Sequence, residues 1–425
     1  MYTQNEFTSK GFTVWFICAL FFLYEFFLRT VIGTFQFQLT RDLDLSSLEF
    51  SFLSTTVFLV FYGAGQIPGG LIVGRIGLKK SLLTGSIICT IASIGFGYST
   101  GYAMALFFRM LMGIGSTFGF ICLLVSVYEW MPNKHNALMI GISSFVGTIG
   151  PMVAAGPLDS LLDAYSIGWR PVFISLGFIA VIILFLVILF VENNPRKSGA
   201  YTILHPPEKI KASVFKMFKR SQPWFISIFS ACTYFSLEYL SENEGRIFLA
   251  LKGIKTNSAA YMITTSWIGY ALGCPFLGFL SDHFRRRKSI MVAATICLFI
   301  SIMIIIFLKD SKMLTLGFFL MGLGASGQSI GFAIIADQFK KRFVAVAFGF
   351  NNALIGLIPS VLAPFIGWTL DQSSGHKTVT LEDYYLVFIS LIIIAVISFI
   401  VSAFFIQETY GKSKVEFTYL NVGAK

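Results

Sequence analysis

Apolar runs of about twenty residues, separated by short polar breaks, recur along the whole chain. Each is long enough to cross ~30 Å of hydrocarbon as a helix at ~1.5 Å per residue. The runs are continuous, without the period-two alternation of a barrel strand, so helices are the way this backbone satisfies its own N–H and C=O groups in lipid. Twelve spans are predicted, at 12–36, 49–73, 81–99, 102–127, 136–161, 171–191, 223–249, 258–281, 289–308, 313–336, 343–370 and 385–406. The fold class is an all-α membrane protein.

Composition agrees and excludes a soluble enzyme. Of 425 residues 56% are hydrophobic and only 12% charged, about half the charge of an ordinary soluble domain. The cysteines at 18, 89, 122, 232, 274 and 297 all fall inside apolar runs with no CxxC spacing, as small buried hydrophobes do. The four histidines fall in loops, so neither metal nor any other cofactor is expected. The first run carries Glu25 and Arg29, unlike a cleavable leader, and is expected to stay as the first helix.

The net charge of +11 raises the question of nucleic acid, and its distribution answers it. With the N-terminus placed in the cytoplasm, 22 of the 32 Lys and Arg fall in cytoplasmic segments. The basic excess therefore reads as topology, with both termini cytoplasmic and no nucleic-acid partner. The polar stretch 192–222 has three prolines and seven basic residues and divides the chain into bundles at 1–191 and 223–425. Its tail alternates basic and apolar residues at helical spacing, which suits a helix lying on anionic lipid; a solvated linker is the plainer reading.

The halves repeat. Gly70 and Gly278 are 208 apart and open two basic loops, Gly113 and Gly115 recur as Gly322 and Gly324, and Gly141 and Pro151 recur as Gly349 and Pro359. Six spans in each half make the repeat parallel, with a site expected between two six-helix bundles.

These motifs resemble the major facilitator superfamily over nearly the whole chain. The loop after the second span matches the family pattern at Gly70, Arg75, Gly77, Lys79 and Lys80, but Gly74 stands where the family has Asp. The second copy keeps that acid, as Gly278, Asp282, Arg286, Arg287 and Lys288. The resemblance implies that these loops clamp the cytoplasmic gate, with Asp282 as the latch. Arg109, Gly113 and Gly115 are similar to the family's motif on the fourth helix. Residues 21–36 and 259–282 resemble bacterial transporters of the phagosomal subfamily, which implies an amino-acid or nucleoside substrate.

Ionised side chains in mid-bilayer cost at least ~2.5 to 3.5 kcal/mol each, so each asks for a role. Glu25 and Arg29 share one face of the first span, and Arg109 and Glu238 fall at about the same depth. One reading has Glu25 and Arg29 neutralise each other as packing elements. The other has Arg29 or Arg109 take a substrate carboxylate while Glu25 or Glu238 takes an amine or a proton. Tyr62 and Asn351 are further candidates for the cavity wall, and Glu242 and Glu244 are expected at a solvated outer helix end. No GxxxxGK[ST] is present, so ATP is not the direct energy source. The expectation is a monomeric, proton-coupled secondary transporter of the bacterial inner membrane, carrying an amino acid or very short peptide. A nucleoside, an organic anion or a drug cation is the alternative, and a membrane receptor a remote one.

Overall fold

Apolar side chains along every face leave the backbone to bond to itself, and the computed structural model is helical nearly throughout. It describes residues 7–132, 136–193, 219–339, 344–375 and 378–409. Twelve long segments follow one another: α1 Ser9–Asp42, α2 Ser47–Ile76, α3 Leu78–Gly97, α4 Tyr102–Trp130, α5 Met139–Tyr165, α6 Trp169–Phe190, α7 Ser221–Glu242, α8 Thr256–His283, α9 Arg287–Phe307, α10 Ser311–Ile335, α11 Ala347–Ser373 and α12 Leu381–Phe405. All but α7 are long and apolar enough to cross a membrane; α7 carries Glu238 and Glu242 within its length. The amphipathic tail expected within 192–222 lies largely outside the described residues.

Two contact units result. The first joins residues 1–206 to 239–264 and 359–384. It therefore combines α1 to α6 with the end of α7, the start of α8, the end of α11 and the start of α12. The second unit holds 207–238, 265–358 and 385–425. In the first, α4 packs on α1, α2 and α3, α5 packs on α1, and α6 packs on α3. In the second, α9 packs on α10 and α12.

The repeated glycines do the same work in each unit. A Cβ on Gly113 would strike the carbonyl of Phe58, bringing α4 onto the α2 backbone. A Cβ on Gly322 would strike the carbonyl of Ser266, so α10 meets α8 in the same way. Phe58 and Ser266 are themselves 208 residues apart. Such contact between backbones is what small residues allow where lipid supplies no hydrophobic drive.

Several helices leave the α-helical register, and these breaks position the polar groups. Val31–Phe35 is a 3-10 segment within α1 and Phe52–Thr56 a π segment within α2. In α5 the helix ends at Ala154 and restarts at Gly156, and Pro157 in the restarting turn has no backbone donor to offer the turn before it. The Ala154 carbonyl at that break accepts from Thr34 Oγ1 at 2.5 Å.

Candidate functional site

Arg109 is fully buried on α4 between the breaks in α1 and α2. Its Nη1 donates to the Leu28 carbonyl at 2.9 Å and to Met112 Sδ at 3.7 Å. Its Nη2 donates to the carbonyls of Arg29 at 2.7 Å and Ser54 at 2.9 Å, and Nε to that of Leu53 at 3.3 Å. The guanidinium also lies 4.5 Å from the centroid of the Phe58 ring. A guanidinium has five N–H groups, and these five acceptors occupy them. The carbonyls flank the 3-10 turn or lie in the π segment, where the change of register turns them from the regular ladder. Arg109 thus ties two broken helices together and, in this state, has no donor left for a substrate carboxylate.

Arg29 points elsewhere. Its Nε lies 3.1 Å from Glu242 Oε1, joining α1 to α7. One of the two readings paired Arg29 with Glu25; the structure sets it in an ion pair with Glu242. Backbone approach explains the choice, because a Cβ on Gly33 would strike the Ser241 carbonyl and lie 2.9 Å from Glu242 Cα. Glycine at 33 lets the end of α7 come close enough to deliver its carboxylate.

Glu25 is 2% exposed, and among the described residues no hydrogen bond or ion pair reaches its carboxylate. It rests on α4 at Gly119, where a Cβ would come within 2.9 Å of Glu25 Oε1. Tyr62 is buried against Phe58, ring centroids 6.1 Å apart. Glu238 and Asn351 belong to the second unit, and both are fully buried. Neither the amide nitrogen nor the amide oxygen of Asn351 has a partner among the described residues.

The expected solvated end of α7 is also corrected, since Glu242, Asn243 and Glu244 are all buried. Asn243 Nδ2 donates to Thr55 Oγ1 at 2.7 Å, and Ser54 Oγ donates to Asn243 Oδ1 at 2.5 Å. Tyr384 Oη donates to Glu244 Oε2 at 2.5 Å. Arg246 Nη1 reaches Asp159 Oδ1 at 2.6 Å on α5. A polar run at the end of a hydropathic segment looks solvated in one dimension; here neighbouring helices cover it.

The basic loops are built alike. Gly77 has φ +84° and Arg285, 208 residues on, has φ +53°. Beyond each, a side chain caps the next helix: Asn193 Oδ1 accepts from the Lys79 N–H at 2.9 Å, and the Glu408 carboxylate accepts from the N–H groups of Arg287 and Lys288 at 3.1 and 3.0 Å. A Cβ on Gly77 would strike the Asn193 amide. A Cβ on Gly70 or Gly278 would meet nothing within 4 Å among the described residues, and Arg75, Asp282 and Arg286 are exposed. Arg287 Nε donates to Asp337 Oδ2 at 2.7 Å, and Thr409 Oγ1 to the same oxygen at 3.0 Å.

The sequence profile of the Major Facilitator Superfamily matches residues 16–243 and 247–417. The chain belongs to that superfamily. This facilitator is 24% identical over 361 residues to the hexuronate transporter of Bacillus subtilis (strain 168), covering 78% of this chain and 81% of that protein. It is 23% identical over 334 residues to the sialic acid transporter NanX of Escherichia coli (strain K12), covering 76% and 80%. A probable sulfoacetate transporter, SauU of Cupriavidus necator (strain ATCC 17699 / DSM 428 / KCTC 22496 / NCIMB 10442 / H16 / Stanier 337), is 23% identical and covers 85% and 87%. Among solved structures the fold matches a D-xylose-proton symporter with a TM-score of 0.76 at 16% identity, covering 95% of this chain and 100% of that one. It also matches an inward-facing bacterial homologue of the human lysosomal transporter Spinster with a TM-score of 0.71 at 18% identity, covering 96% and 99%. Family and relatives make this facilitator a membrane transporter of small molecules rather than an enzyme.

Residues that sequence reasoning passed over, Asn193, Asp337 and Glu408, hold the facilitator's basic loops together. Their signal was present as helix-capping residue types just beyond a span, but nothing in one dimension says which distant N-terminus such a residue will cap.

Proposed function

We propose that this facilitator is a proton-coupled secondary transporter for a small solute bearing a carboxylate, working by alternating access in the bacterial inner membrane with both termini cytoplasmic. The observation that carries the reading is the division of labour among the buried charges. Arg109 is saturated by backbone, Arg29 pairs with Glu242 across α1 and α7, and Glu25 stands one turn from Arg29 with no partner among the described residues.

That arrangement makes Arg29 a switch. With Glu25 protonated, Arg29 stays with Glu242 and ties α1 to α7. Loss of the proton gives Arg29 a second carboxylate on its own helix at i−4, and an incoming substrate carboxylate competes for the same guanidinium bidentately. Either event weakens the α1–α7 tie, which links proton and substrate to the motion. Hexuronate, sialic acid and sulfoacetate, in the names of the relatives, are all anions at neutral pH and support the carboxylate class. An amino acid is the second reading, favoured by Glu25 as a partner for an ammonium group. On this reading the bundles 1–191 and 223–425 move about the linker as a monomer, with Glu238, Tyr62 and Asn351 on the substrate path.

A thermal-shift screen of purified protein against sugar acids, sulfonates, amino acids, dipeptides and nucleosides separates the readings. A ligand at 100 times its Kd stabilises by about 2.7 kcal/mol. A shift with uronates or other carboxylates that lack an amine supports the first reading, and one confined to amino acids the second. A response to nucleosides or lipophilic cations alone overturns both. Glu25→Gln and Glu238→Gln in proteoliposomes then identify the proton site: the variant that keeps exchange of labelled substrate but loses proton-driven accumulation carries it.

A further inference from the structure

The first unit contains two seams between α-helices of opposite halves, and they obey the sequence repeat atom for atom at one point. Thr56 Oγ1 of α2 donates to the Ser360 carbonyl of α11 at 2.8 Å. Thr264 Oγ1 of α8 donates to the Met152 carbonyl of α5 at 3.1 Å. Thr56 and Thr264 are 208 residues apart, and so are Met152 and Ser360. The same hydroxyl-to-carbonyl bond therefore closes both seams at one end of the bundle.

Beyond that bond the seams diverge. On the α2–α11 side Asp371 receives the N–H of Ser47 at Oδ1, 3.1 Å, and that of Leu48 at Oδ2, 3.0 Å. Ser46 and Glu49 form a capping box over the same turn, and the Phe50 N–H bonds the Ser46 carbonyl at 2.9 Å. All four opening N–H groups of α2 are thus satisfied, two of them by a carboxylate from another helix. Close packing holds the carboxylate there: a Cβ on Gly367 would lie 2.7 Å from the Ser47 carbonyl and 2.8 Å from Ser51 Oγ. On the α5–α8 side the repeat counterpart of Asp371 is Asp163, which is exposed. Between α5 and α8 the bonds are neutral, the Gly156 N–H to Thr264 Oγ1 at 2.8 Å and Ser160 Oγ to Asn257 Oδ1 at 3.0 Å, and the charge on that side is the buried Asp159–Arg246 pair, between α5 and the segment before α8.

We infer that these two seams are the outer gate and that Asp371 is the latch of the α2–α11 seam. A carboxylate on a helix N-terminus gains from charge-assisted bonds and from the helix dipole, which no bond between α5 and α8 themselves does. Opening toward the outside strips Asp371 from α2 and leaves the N–H groups of Ser47 and Leu48 without their acceptor. The inference rests on the alternating-access reading and on the topology proposed above, and not on the identity of the substrate.

The test places a reporter cysteine at Ser51, buried in the α2–α11 seam, and measures its labelling by a membrane-impermeant maleimide added outside. The parent chain is measured alongside as background, and uptake is followed in the same vesicles. Asp371→Asn is expected to raise the labelling rate about tenfold, Thr56→Val about fivefold and Thr264→Val less than either, from the usual worth of charged and neutral hydrogen bonds. Labelling that ignores Asp371→Asn, or that rises more with Thr264→Val, overturns the latch. If Asp371→Asn does not fold, Thr56→Val against Thr264→Val decides, and equal acceleration overturns it. No labelling in any variant while uptake proceeds also overturns the latch but leaves transport standing. Labelling that follows Asp371 in vesicles without uptake of any tested solute keeps the latch and sets aside the substrate reading.

Discussion

Arg109 and Arg29 sit on neighbouring helices with opposite duties, and the difference lies in what each guanidinium can reach. Four carbonyls and a thioether surround Arg109. Replacing it by leucine leaves those carbonyls buried without donors, at about 1–3 kcal/mol each. Arg109→Leu is expected to lower thermal stability severely, and Arg109→Lys nearly as far, because an ammonium lacks the planar fork that spans both helices. Arg29 and Glu242 call for a different measurement. Removing either alone strands a buried charge and is expected to cost about 3–5 kcal/mol. Arg29→Met with Glu242→Gln together removes the pair, and is expected to cost well under the sum of the single changes in denaturation by heat. Additive losses would mean that the two side chains do not depend on each other. Arg109, Arg29 and Glu25 were legible as buried from their place in apolar runs, whereas Glu242 read as solvated. Their pairing was not legible, since Glu25 is one turn from Arg29 in sequence while Glu242 is distant, and only the approach of α7 at Gly33 reverses that preference.

At the scale of elements, the repeated glycines and the breaks in helical register govern which surfaces meet. Gly322→Ala drives a methyl group into the Ser266 carbonyl, and Gly113→Ala does so at Phe58. Overpacking of this kind costs about 1–3 kcal/mol, so each variant is expected to melt several degrees below the parent chain. Gly70→Ala and Gly278→Ala, where nothing among the described residues lies within 4 Å of the added methyl, are expected to leave the melting temperature nearly unchanged. The contrast tests whether the motif glycines are alike in purpose. Sequence placed the twelve helices because twenty apolar residues in a row permit few other structures. It did not show the 3-10 and π segments in α1 and α2: VIGTF and FLSTT are rich in residues of low helix propensity, but such residues are common throughout these spans, and tertiary contacts such as those of Arg109 decide where the register breaks.

For the whole molecule, the repeat is the organising fact, and its exceptions carry the direction of asymmetry. Gly113 and Gly322, Gly77 and Arg285, and Thr56 and Thr264 occupy matching places. Gly74 and Asp282 differ in chemistry, and Asp163 and Asp371, though both aspartates, differ in surroundings. The proposed topology predicts that a tag on either terminus is cleaved by protease only from the cytoplasmic face; cleavage of either from outside would invert the assignment.

The amino-acid sequence alone determined that the chain is an all-α membrane protein of repeated halves belonging to a transporter family. Those properties follow from hydropathy, charge bias and motif spacing, which are local or periodic and need no knowledge of neighbours. The partner of each buried charge, the cover over Glu242 and Glu244, and the capping of α2 by Asp371 were decided by tertiary structure. Each is a contact between residues far apart in sequence, and its geometry depends on helix approach to within an ångström, a quantity fixed only when all the helices have packed.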